Sequence, residues 1–81
     1  MSRISKKSFQ KIAEGVLGFL YERHPKPFST RAIAVELVRD NEFILKVMLF
    51  LEKNGYVERK GKKWQLWQLT LKAKAGFDKT V

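Results

Sequence analysis

Apolar residues recur along the chain in two different rhythms, and the change from one to the other divides it into helical and extended parts. From Ser5 to about Glu22 the apolar positions Phe9, Ile12, Ala13, Val16, Phe19 and Leu20 follow the three-and-four spacing of one helix face, which predicts a first helix. Gly15 and Gly18 are costly inside a helix and predict a close approach by a neighbouring element. His24-Pro25-Lys26-Pro27 stops the helix, because proline lacks the backbone donor and restricts the residue before it. Phe28 is a candidate for a very short strand. Ser29 then predicts an N-cap for a second helix through Ala32, Ile33, Ala34, Val35, Leu37 and Val38. Arg39-Asp40-Asn41 makes a tight connection, in which Asp40 or Asn41 caps a third helix from Glu42 to Lys53. Asn54-Gly55 closes that helix, glycine supplying the left-handed backbone of a C-terminal cap.

Beyond Gly55 the period shortens to two. Tyr56-Val57-Glu58 and Trp64-Gln65-Leu66-Trp67-Gln68-Leu69 read as two strands joined by a five-residue hairpin loop, Arg59-Lys60-Gly61-Lys62-Lys63. Alternation puts Gln65, Trp67 and Leu69 on one face, and Trp64, Leu66 and Gln68 on the other. With Trp67 and Leu69 in the core, Trp64 and Leu66 either pack against a terminal helix or offer a partner surface. Thr70 caps a short last helix through Leu71, Ala73, Ala75 and Phe77. The expected architecture is one α+β domain over residues 1–81, with three helices, a two- to three-stranded antiparallel hairpin sheet and a short C-terminal helix.

Composition narrows the chemistry. The chain has 81 residues, no cysteine and one histidine, which removes disulfides, thiolate metal sites and thiol nucleophiles. His24 beside a proline reads as a loop residue. The carboxylates are scattered, and no nucleophile–base pair or phosphate-cradling glycine loop is visible, so neither an enzyme nor a cofactor is expected. No apolar run approaches a membrane span and no secretory h-region is evident, which leaves a cytoplasmic, nucleoid-associated location as the expectation, with no small-molecule ligand.

Charge points elsewhere. The net charge is +9, and residues 53–81 hold eight Lys/Arg against two acids, whereas residues 1–52 hold nine against six. The excess gathers around the hairpin, as the footprint of a polyanion site would. Lys62 and Lys63 are the first candidates for gripping phosphates, followed by Arg59 and Lys60, with the arginine suited to bidentate contact. Arg3, Lys6, Lys7 and Lys11 offer a basic N-terminal arm.

Two segments resemble a known family. Leu51-Glu52-Lys53-Asn54-Gly55-Tyr56-Val57-Glu58-Arg59 resembles the end of the recognition helix and the first wing strand of winged helix-turn-helix transcription regulators of the arsenic-responsive and multiple-antibiotic-resistance type. Leu69-Thr70-Leu71-Lys72 resembles the stretch that follows the second wing strand in the same group. The resemblance implies a domain that binds double-stranded DNA, placing a recognition helix at about residues 41–54 in the major groove and a wing at about residues 56–69 on the backbone, and since one small module buries too little surface for tight binding, a homodimer is expected. The candidate DNA-binding set is Arg59, Lys60, Lys62, Lys63, Asn41, Lys46, Lys53 and Arg31.

The third helix departs from that pattern. Asn41, Glu42, Leu45, Lys46 and Lys53 are expected to face outward, and Ile44, Val47, Met48 and Leu51 to face the core. Phe43, Leu45, Leu49 and Phe50 make the helix apolar almost all round, which predicts partial burial in a subunit interface or under the C-terminal segment. Asn41 and Lys46 alone carry groups suited to base edges, so backbone binding is better supported than base readout. An alternative of a different class is a winged helix serving as a protein–protein module in a larger assembly, and Trp64 beside lysines also leaves RNA stacking open.

Overall fold

The computed structural model describes residues 6–63 and 65–80, the side chains of Lys6, Lys7, Phe77 and Thr80 excepted. The described residues form α1 (Lys6–Glu22), β1 (Phe28–Ser29), α2 (Thr30–Leu37), α3 (Asn41–Lys53), β2 (Val57–Lys60), β3 (Leu66–Leu69) and α4 (Leu71–Thr80). The expected arm residue Arg3 and the expected strand residue Trp64 lie outside them.

Each junction is closed by a local hydrogen bond. Ser29 ends β1 and caps α2, its Oγ accepting from the Ala32 amide at 3.1 Å. Asp40, rather than Asn41, caps α3, with its carboxylate accepting from the amides of Glu42 and Phe43. Gly55, at φ +79°, turns the chain out of α3. Thr70 does two jobs, since its hydroxyl donates to the Gly55 carbonyl at 2.8 Å and accepts from the Ala73 amide at the start of α4. The ends of α3 and β3 are thereby pinned together.

The sheet is antiparallel in the order β1-β3-β2, with Phe28 opposite Trp67 and Val57 opposite Leu69. Its inner face supplies Val57, Trp67 and Leu69 to a core completed by Val16 and Leu20 of α1, Ile33 of α2, Ile44, Val47, Met48 and Leu51 of α3, and Ala73 of α4. All four α3 residues expected inside are buried. The opposite sheet face is half-covered, with Leu66 tucked beneath Gly61 and the Gln68 amide donating to the Pro25 carbonyl.

Four expectations change. The hairpin pairs two residues further than its composition suggested, so Arg59 and Lys60 belong to β2, opposite Trp67 and Leu66, and the turn begins at Gly61, whose φ of +93° starts it. The second strand begins at Leu66, and Gln65 lies just outside it. Helix α2 ends at Leu37, with Val38 as a left-handed C-cap at φ 54°. Finally, a Cβ at Gly15 or Gly18 would meet nothing within 4 Å, so these glycines serve no close approach.

Candidate nucleic-acid interface

The N-terminal ends of α2 and α3 open toward the hairpin, and between them lies a groove of about 430 Å³. Ser29, Thr30 and Arg31 line one side, Asn41 and Leu45 a second, and Arg59, Lys63, Gln65 and Trp67 the third. Three cations thus border one concavity, beside two hydroxyls, two side-chain amides and an apolar floor. The positive ends of both helix dipoles add to a potential that suits an anion.

Arg59 is the best-fixed of the three cations. Its Nε donates to Glu52 Oε2 at 3.1 Å and its Nη2 to Glu52 Oε1 at 3.4 Å, while the guanidinium lies 4.7 Å from the Trp67 ring centroid. Trp67 is held in turn, its indole N–H donating to Thr30 Oγ1 at 2.8 Å. A continuous chain from Glu52 through Arg59 and Trp67 to Thr30 therefore ties α3, both hairpin strands and the start of α2 together. Stacking and a forked ion pair restrict an otherwise flexible side chain.

The other candidates fall in different places. Lys60 lies on the sheet face away from the groove, with its ammonium 3.6 Å from the Glu58 carboxylate. Lys62 is exposed in the hairpin turn. Lys46 and Lys53 are exposed on α3, as expected, outside the groove lining. The structure therefore brings Arg31, Asn41, Arg59 and Lys63 together and sets Lys60, Lys62, Lys46 and Lys53 around them. Ser29, Thr30, Gln65, Trp67 and Glu52 were not in the candidate set. Ser29 and Trp67 had been read for capping and core packing, and no local signal marks Glu52 as the partner of a residue seven positions on.

Cover for the apolar flank of α3 comes from α1, where Phe9 packs edge-to-face on Phe43 and Phe50 with ring centroids at 5.9 and 5.2 Å. Leu45, Leu49 and Phe50 still show 40, 42 and 43% of their surface. Among the described residues no group of acidic, histidine or cysteine side chains could hold a metal ion, and no helix is long and apolar enough to cross a membrane.

No family model and no curated protein matches the chain. Solved structures do. An apo form of Lactococcus lactis ZitR carrying cysteine-to-alanine and histidine-to-alanine changes superposes with a TM-score of 0.74 over 91% of this chain, at 19% identity. A ZitR mutant with a glutamate-to-alanine change gives 0.67 over 99%, at 20% identity. The fold is a winged helix. In its terms α2 and α3 are the helix-turn-helix, β2 and β3 are the wing, and the groove lies between the start of α3 and the wing. This winged helix spans 57 and 53% of the two ZitR chains.

Proposed function

We propose that this winged helix binds double-stranded DNA, as a small, non-catalytic transcription regulator of the arsenic-responsive or multiple-antibiotic-resistance type acting in the cytoplasm as a homodimer. The observation that carries the reading is the convergence of Arg31, Asn41, Arg59 and Lys63 on one groove between α3 and the wing. Cations from α2 and from the hairpin meet there without an acid in the lining, although Glu52 stands behind Arg59. Such a cluster neutralises backbone phosphates and releases their counterions on binding. Lys62 at the wing turn and Lys46 and Lys53 on α3 extend the positive surface. The segments Leu51–Arg59 and Leu69–Lys72 support the regulator type.

Fluorescence anisotropy of a labelled random-sequence duplex, titrated at several salt concentrations, tests the proposal. Wild type is expected to bind with affinity that falls steeply as salt rises. The Arg31→Ala/Lys63→Ala variant, which leaves the Glu52–Arg59–Trp67 chain intact, should lose about two units of the log–log salt slope. Equal slopes for the two proteins, or absence of binding, overturn it.

A second reading is favoured by a specific observation. Val35 and Val38 are 70 and 86% exposed, close in sequence to the exposed leucines of α3. A protein-contact module would present such a surface, and its association would be insensitive to salt.

A further inference from the structure

The outward face of α3 carries an unusual sequence for a helix placed to meet a polar duplex edge. Asn41, Leu45 and Leu49 follow one another at four-residue intervals, so they form a single stripe, and the two leucines are 40 and 42% exposed. The stripe starts inside the groove, where Asn41 and Leu45 stand among Arg31, Arg59 and Lys63. Lys46 and Lys53 are exposed alongside it. Glu42 opposes this field locally, at the first turn of the helix. Apolar groups ringed by cations fit a surface that is anionic at its rims and carries apolar groups on its floor.

The major groove over A·T pairs is such a surface. Thymine displays a C5-methyl there, and adenine offers the N7 acceptor and N6 donor that a carboxamide can meet with both its groups. G·C pairs lack that methyl and display two acceptors and an amine, which leucine would desolvate without returning a hydrogen bond. At a rise of about 1.5 Å per residue, Leu45 and Leu49 are roughly 6 Å apart along the helix, the scale of two base-pair steps.

The geometry points to a recognition helix that reads A·T base pairs through thymine methyl groups, seated against Leu45 and Leu49, with Asn41 facing adenine. This rests on the DNA-binding reading above and adds a base preference to it. Phosphate contacts fix the register, and the leucine stripe supplies the discrimination.

The test compares the whole chain on a mixed-sequence A·T duplex and on the same duplex with uracil in place of every thymine, which removes only the methyl groups. Wild type is expected to bind the uracil duplex more weakly, by roughly fourfold for each methyl in contact, with the same salt slope on both. The Leu45→Ala/Leu49→Ala variant should bind the two duplexes alike and keep that slope. Both leucines lie outside the buried core, and a circular dichroism melt checks that the variant is folded. Equal wild-type affinity for thymine and uracil duplexes, with a steep salt slope, overturns the inference and leaves phosphate binding standing. Absence of binding to either duplex overturns both. In that case, a two-copy mass in sedimentation that the double variant abolishes assigns the stripe to contact between copies.

Discussion

Val38 holds a left-handed backbone conformation that disfavours L-residues, and β-branched ones most of all. It is 86% exposed, so little packing offsets the cost. Replacing it with glycine is expected to stabilise the domain by about 0.5–1 kcal/mol, net of the extra entropy of the unfolded chain. Thermal denaturation should show this as a rise of roughly 2–8 °C in Tm, and a fall in Tm would show that the valine is held by packing instead. Ser29, Asp40, Gly55 and Thr70 were legible as caps from the sequence alone, because capping joins residues two to four positions apart. Arg59 was not legible in the same way. Placed in the hairpin loop by its composition, it is a stacked and ion-paired strand residue, and both of its partners lie on other elements.

Helices and strands were legible where a periodic pattern spans several turns. The core-facing and outward residues of α3 follow directly from its spacing. Boundaries in the hairpin were harder to read, because Arg59 and Lys60 have turn-like composition and strand geometry. What extends the pairing is the packing of Arg59 on Trp67, which no window of local sequence reveals. The last helix also carries a clasp to α1. The Tyr21 hydroxyl donates to Asp78 Oδ1 at 2.6 Å, and Lys74 donates to Asp78 Oδ2 at 3.0 Å. The hydrogen bond from Tyr21, followed by that from Lys74, holds the Asp78 carboxyl below the usual carboxylate range. Tyr21 and Lys74 are both raised, chiefly by the hydrogen bond to Asp78. A lowered carboxyl contributes stability above its unfolded pKa and loses it as pH falls through the folded value. A raised phenol or ammonium contributes below its unfolded pKa and loses it as pH rises through the folded one. The stability difference between wild type and Asp78→Asn is therefore expected to be flat from about pH 5 to 9, shrinking below about pH 4 and above about pH 10. Denaturant melts across that range read it directly, and a difference that does not vary with pH would sink the clasp.

Across the whole molecule, part of the basic last third, Arg59 and Lys63 of the hairpin, comes to lie beside Arg31 at the start of α2. The net charge was legible from composition. The meeting of Arg31 with the hairpin cations was not, since Arg31 reaches the groove because β1 pairs with β3 and thereby sets the start of α2 beside the wing. A single winged helix buries too little surface for tight and specific binding, and a pair of copies can read two half-sites. Binding to a duplex with two A·T-rich half-sites about 10 base pairs apart is expected to be cooperative, and shifting one half-site by about half a turn should abolish the cooperativity. Affinity indifferent to that spacing, measured by gel mobility shift, would favour independent single copies.

On the proposed DNA-binding reading, the chain from Glu52 through Arg59 and Trp67 to Thr30 also bears on which partner would adapt on docking. A wing braced at its base has surrendered its freedom during folding, so little of that cost remains to be met on docking. The same bracing keeps it from swinging to follow a helix of different width or curvature. Accommodation would then fall to a duplex so bound, and sequences that bend readily, such as those with TA steps, would gain an advantage at positions that no side chain touches.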